Sequence, residues 1–294
     1  MKYFSLFTGI GGLEYGLRNG HNTCIGFSEI KNTSIQIFKK HCDCENYNDI
    51  SKIDCKLLPD FDILLGGFPC QSFSLAGLRK GFNDKRGSMI FYIYKLLNIK
   101  KPQFIVLENV KGLLNHDQGR TFLNVMKLLT YAGYNVRVLL LNSLYYGSAQ
   151  SRERLFFLGS KDDFEIKKPI IIDNTKRFRD IRDDDSKYRL INRTQQNIKK
   201  INQKHIRNFE LIGGYDRVGT LTTQYGCGEK VVPYEDWYRY LTVLECERLQ
   251  GFPDGWTEGI SDNARYWALG NAVNCNVSDY LFNNYLPSIW KGFN

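Results

Sequence analysis

The stretch Tyr3-Phe4-Ser5-Leu6-Phe7-Thr8-Gly9-Ile10-Gly11-Gly12 decides the fold. An apolar strand over Tyr3–Phe7 runs into a glycine-rich turn, and the sequence through about Asn19 predicts a helix after it. Outward from this stretch the pattern repeats. Thr23–Ser28 reads as a second strand ending at Glu29, and Phe61–Leu65 as a strand entering Gly66-Gly67-Phe68-Pro69-Cys70. Phe104–Leu107 reads as another, ending at Glu108-Asn109-Val110, and Tyr134–Leu141 and Arg154–Gly159 complete the set. Gly87–Ile99 and Arg120–Tyr131 have helical periodicity. Strands alternating with helices over residues 1–160 predict an α/β domain wound on both faces of a mostly parallel sheet.

Composition shifts after Ser160. Residues 161–236 are more polar and weakly periodic, and Ser186–Phe209 holds seven Lys/Arg and no acidic residue. The apolar pattern returns from Trp237, with Val277–Trp290 as a closing helix. The expected organisation is therefore one α/β domain from 1–160 plus 237–294, with a small domain, 161–236, inserted into it. The 294 residues carry 40 Lys+Arg against 31 Asp+Glu, a net charge of +9, which suits a polyanionic partner without requiring one. With 43% hydrophobic residues the chain is not a disordered one, and no apolar run reaches the length of a membrane span. A basic but only briefly apolar N-terminus is no secretory signal, so the expected setting is the cytoplasm and the eight cysteines are expected to be reduced.

Several side chains stand where open α/β sheets build sites, at the carboxyl ends of strands. Gly9-x-Gly11-Gly12 brings backbone N–H groups towards a ligand, yet Glu14 occupies the last position of the dinucleotide pattern G-x-G-x-x-G. A carboxylate there is unsuited to a pyrophosphate, which counts against a nicotinamide dehydrogenase. Glu29 stands where a carboxylate can grip ribose hydroxyls, with an ordinary exposed acid as the bland alternative. Cys70 lies in a loop near Arg79, Lys80, Lys85 and Arg86, which would stabilise a thiolate, although a structural thiol is the commoner fate of a cysteine. Glu108 follows an apolar strand, so burial is expected to raise its pKa and make it a proton donor near neutrality. Arg152 and Arg154 alternate along one strand and are expected on one face.

Phe7-x-Gly9-x-Gly11-Gly12, Pro69-Cys70-Gln71, Glu108-Asn109-Val110, Gln150-x-Arg152-x-Arg154, Arg248-Leu249-Gln250-Gly251-Phe252-Pro253 and Gly270-Asn271-x-Val273 follow one another in a single order. Together they resemble the cytosine-C5 DNA methyltransferases of bacteria and phages. The resemblance covers nearly the whole chain except about 161–235, and departs from the family at Ala268-Leu269 and Ala272. It implies a Rossmann-like S-adenosylmethionine-dependent methyltransferase fold with an inserted target-recognition domain. The cofactor would lie against Phe7, Gly9, Gly11, Gly12, Glu29, Ile30, Asp49, Ile50, Asn271 and Val273. Cys70 would be the nucleophile and Glu108 the acid, with Arg152 and Arg154 ordering the base and the catalytic loop. Gln71, Ser74, Arg86, Thr220 and Leu221 would meet the DNA.

The implied partner is double-stranded DNA with its target cytosine flipped out of the stack. The resemblance also leaves room for a cognate restriction endonuclease acting separately, and implies a monomer without membrane attachment. An RNA methyltransferase of the tRNA-modifying branch is the nearest rival, though its Cys-Phe-Thr tripeptide is absent and Thr220-Leu221-Thr222-Thr223 stands instead. A catalytically inert DNA-binding regulator is the other rival, and the joint presence of Cys70, Glu108, Arg152 and Arg154 argues against it. His41-Cys42-Asp43-Cys44 with Cys55 lacks a second matched cysteine pair, so no metal is expected.

Overall fold

A computed structural model of the chain describes residues 1–18, 22–69, 89–183, 210–213, 216–223, 230–234 and 237–293. Its contacts divide the chain into two compact units. The first is Met1–Leu141, Glu153–Pro169 and Ser278–Asn294; the second is Asn142–Arg152 and Ile170–Val277.

In the first unit, β1 (Lys2–Leu6), β2 (Thr23–Ser28), β3 (Ile63–Gly67), β4 (Phe104–Val110), β5 (Asn135–Asn142) and β6 (Glu153–Ser160) form one sheet in the order β2-β1-β3-β4-β6-β5. β1 pairs parallel with both β2 and β3, and β3 parallel with β4, whereas β6 runs antiparallel to β4. The central strands read as unbroken apolar runs because both faces are covered: Phe4, Leu6, Leu64, Ile105, Leu107 and Phe157 are fully buried. Helix α1 (Asn32–Phe38) follows β2. Helix α2 (Met89–Lys100) buries Ile90, Ile93, Leu96 and Leu97, and α3 (Arg120–Tyr131) buries Thr121, Val125 and Leu129, each set at helical spacing. The strand order reverses at β1, so the loops after β1 and β2 leave the same edge of the sheet as those after β3 and β4.

The helix expected through Asn19 is a single 3-10 turn, Glu14–Leu17. Gly16 explains this: its N–H donates to Ser278 Oγ at 3.0 Å, and a Cβ there would stand 2.4 Å from the Ser278 carbonyl oxygen. A tertiary contact takes the place of helix propagation. The closing helix is likewise broken into Cys275–Tyr280, a π turn at Leu281–Tyr285 and Leu286–Ile289. Pro287 has no N–H to give to the preceding turn.

In the second unit, β7 (Glu210–Leu211), β8 (Lys230–Tyr234) and β9 (Trp237–Tyr240) form a small sheet, β7 parallel and β9 antiparallel to β8. Helix α4 (Val243–Gln250) begins with a capping box between Thr242 and Glu245, and Glu245 also receives the buried Arg239 guanidinium at 2.7 Å. Helix α5 (Asp262–Asn271) starts at the Ser261 cap. The composition boundary at 236/237 is not where the units divide: residues 237–277 pack with 142–152 instead. Buried hydrogen bonds explain it. The Leu249 carbonyl accepts from Ser148 Oγ, Gln150 Nε2 and Asn274 Nδ2 at 2.8, 3.2 and 2.9 Å. Among the described residues, no helix is long and apolar enough to cross a membrane.

Candidate active site

The loop after β1 is wound through left-handed backbone at Phe7 (φ 54°), Gly9 (φ 59°) and Gly11 (φ 88°). At Gly9 an added Cβ would meet nothing within 4 Å, so open space borders the loop there. Glu29, half-buried at the end of β2, ties this loop to its own strand. Its Oε2 accepts the Gly9 N–H at 2.9 Å, and its Oε1 accepts those of Ile30 and Lys31 at 2.8 Å each. Asn46 steadies Glu29 in turn, its Oδ1 accepting the Glu29 N–H at 3.2 Å and its Nδ2 donating to the Glu29 carbonyl at 3.1 Å. Ile30 projects into solvent at 72% exposure. Asp49 caps the turn Ile50–Lys52 by accepting the Ser51 N–H at 2.9 Å, a bond that holds its carboxyl below the ordinary range, and Ile50 is buried beside it. A carboxylate for a diol, a second for an amino group and open space beside a glycine loop fit the ribose, adenine and methionine parts of S-adenosylmethionine.

Glu14 is a site feature that the sequence pattern marked only as a mismatch. It is buried under the loop, where Ser5 Oγ donates to its Oε1 and Thr8 Oγ1 donates to Ser5 Oγ at 3.0 Å. Its Oε2 finds no hydrogen-bond partner among the described residues, and burial pushes its pKa up to about 7.

Across the sheet, Glu108 sits in register with Gly67 on β3 and with Phe156 on antiparallel β6. Arg154, two residues from Phe156, therefore shares its face, and its Nε lies 3.0 Å from Glu108 Oε1 with both side chains largely buried. Burial pulls the Arg154 pKa down while Glu108 holds it up. Glu108 Oε2 lies 3.3 Å from where a Cβ on Gly67 would be, so the missing side chain gives the carboxyl its room. A guanidinium thus faces Glu108, a partner that the apolar strand before it did not announce. Asn109, buried next to it, donates from Nδ2 to the Phe68 carbonyl at 2.8 Å, immediately before Pro69-Cys70. That positioning residue was missed, although its place in the Glu-Asn-Val run was the available signal. Cys70, Gln71, Ser74 and Arg86 lie outside the described residues, as does the basic stretch Ser186–Phe209.

Arg152 does not share the strand with Arg154, since β6 begins at Glu153. It is buried, and its guanidinium donates to the carbonyls of Leu221, Gly270 and Ala272 at 3.2, 2.9 and 2.8 Å. Gln150 joins it by accepting the Leu221 N–H at 3.0 Å, and Thr220 Oγ1 donates to the Ser151 carbonyl at 2.7 Å. Leu221 is 1% exposed, so its side chain packs inward. Gly270 lets this segment pass, because a Cβ there would stand 2.2 Å from the Thr222 carbonyl oxygen. Asn271 is exposed at the end of α5, its Nδ2 donating to the Trp267 carbonyl at 3.0 Å, and Val273 is buried two residues on.

The thiols bring a further correction. Cys55 lies apart, buried in the core, whereas Cys24 of β2 joins Cys42 and Cys44, the three Sγ atoms all within 4.8 Å of one another. Spacing along the chain did not reveal that third partner.

Comparison with known proteins gives the family. Residues 1–286 match the model of the C-5 cytosine-specific DNA methylases. The chain is 34% identical to the type II methyltransferase M.DsaV of Dactylococcopsis salina over 94% of this chain and 83% of that one. It is 47% identical to the orphan methyltransferase M.SPRI of Bacillus phage SPR, over 55% of this chain and 38% of that enzyme. The structure of Dnmt2 methyltransferase from S. pombe superposes with a TM-score of 0.80 at 21% identity, covering 98% of this chain and 99% of that one, a likeness of fold. The chain thus belongs to the C-5 cytosine-specific DNA methylases, enzymes that place the methyl group of S-adenosylmethionine on C5 of cytosine in DNA.

Proposed function

We propose that this chain methylates cytosine within a specific double-stranded DNA sequence through a covalent bond from Cys70 to C6 of the flipped base. The observation that carries the reading is the Glu108–Arg154 pair beside Gly67, with Asn109 holding the carbonyl that precedes Pro69-Cys70. C5 of cytosine is a weak nucleophile. Attack of the Cys70 thiolate on C6, with Glu108 holding a proton at N3, gives C5 enamine character. Arg154 fixes the Glu108 carboxyl in place during this step. After methylation C5 loses its proton and Cys70 departs by elimination.

S-adenosylmethionine, when bound, supplies an electrophilic methyl on a sulfonium. Glu29 would hold its ribose, Asp49 would accept from the adenine amino group, and the Phe7–Gly12 loop would hold the methionine end. Arg152 and Gln150 act as positioning residues that brace the Thr220–Leu221 segment, which leads into the DNA-reading part of the second unit. Bisulfite sequencing of DNA from cells expressing the chain tests the reading. Protected cytosines at one recurring sequence are expected, and unprotected DNA alongside methylated tRNA would overturn it in favour of the RNA branch.

A further inference from the structure

A thiol cluster stands apart from the methyl-transfer residues, at the other end of the segment that supports Glu29. Cys24 lies near the start of the edge strand β2, and Cys42 and Cys44 lie in the loop after α1. Cys44 Sγ is 3.1 Å from Cys42 Sγ and 3.1 Å from Cys24 Sγ. All three side chains are half-buried, neither lost in the core nor open to bulk solvent. Tyr3 stands across from Cys24 on β1 and is buried.

We propose that Cys24, Cys42 and Cys44 form a three-thiolate binding site for a thiophilic divalent cation of the zinc class. Three sulfur ligands around zinc at about 2.3 Å would be spaced roughly 3.8 Å apart, a small opening of the present cluster. A disulfide, with sulfurs about 2.05 Å apart, would use two thiols and leave the third over. The three sulfurs already converge from two segments of the chain. Binding would release the thiol protons to solvent and form three metal–sulfur bonds. Water completes the coordination, and no electron is transferred.

The site's place in the fold gives it a use. From Cys44 the chain runs alongside β2, with Phe27 N–H donating to the Glu45 carbonyl at 2.9 Å and Tyr47 N–H to the Phe27 carbonyl at 2.7 Å. Asn46, which grips Glu29, and Asp49 follow directly. A cation joining Cys24 to Cys42 and Cys44 would staple this segment to the sheet edge and steady the two carboxylates. The inference does not depend on the methyl-transfer reading.

Cadmium(II) is a suitable probe because its thiolate bonds absorb in the ultraviolet where the aqueous ion does not. The reduced, chelator-treated full chain would be titrated in a Cys70→Ser background, so that thiol contributes nothing. A thiolate band saturating at one equivalent is expected, with a Tm that rises as cadmium or zinc is added. Cys42→Ser and Cys44→Ser, both in a loop, should each lose the one-equivalent endpoint, and Cys55→Ser should keep it. Absence of the band, or an endpoint unchanged in Cys42→Ser and Cys44→Ser, would overturn the proposal.

Discussion

Glu29 holds two jobs that a pair of substitutions can separate. A carboxylate offers about four acceptor positions. Three are occupied by the N–H groups of Gly9, Ile30 and Lys31, which leaves one for a ribose hydroxyl. In Glu29→Ala the exposed Ile30 and Lys31 groups find water, so the stability cost comes mainly from the part-buried Gly9 contact, about 1.5–3 kcal/mol for a charge-assisted bond. Loss of the ribose contact should weaken S-adenosylmethionine by a similar free energy, roughly 10- to 150-fold in Kd. Glu29→Gln keeps the shape and one acceptor, so it should recover most of the stability and little of the affinity. Isothermal calorimetry and thermal unfolding of both variants measure the two effects. Wild-type affinity in Glu29→Ala, with a lowered Tm, would show that Glu29 only braces the loop and would refute the ribose assignment.

Other outcomes follow from the same geometry. Burial raises Glu14 from an ordinary 4.5 to about 7, so its protonated form is favoured on folding, and the stability this contributes is present below pH 4.5 and lost as pH rises towards 7. Glu14→Gln should abolish that loss, worth about 3 kcal/mol, so the substitution should favour the folded chain more at pH 8 than at pH 5; parallel pH profiles of the denaturant midpoint in both proteins would refute it. Arg152→Met leaves three buried carbonyls short of donors and should cost about 3 kcal/mol or more in urea unfolding; an unchanged midpoint would deny the bracing role. Glu108→Gln should slow single-turnover methylation by about 10²–10⁴-fold, and a rate within twofold of wild type would make the carboxyl structural.

Much of this architecture could be read from the chain because the central strands are buried on both faces. An unbroken run such as Phe104–Leu107 has few other destinations, and the polar residue that ends it, Glu108, falls at the sheet's carboxyl edge. What could not be read depended on contacts remote in sequence. Gly16 meets Ser278 and forfeits its helix, and Cys24 reaches Cys44 across a strand and a helix. Arg152 and Arg154 looked equivalent by spacing, but the strand starts between them, giving one a carboxylate and the other three backbone carbonyls. Periodicity reports which face a residue occupies within an element. It does not report where the element begins or what approaches it.

The proposed chemistry depends most directly on a bond between Cys70 and the target base. Duplex DNA containing 5-fluorocytosine at the methylated position, incubated with the chain and S-adenosylmethionine, tests it because fluorine blocks the final elimination. The expected result is a denaturation-resistant adduct whose peptide map carries the modified base on Cys70, and no adduct in Cys70→Ser. An adduct that persists in Cys70→Ser, or methylation of ordinary cytosine by that variant, would contradict it.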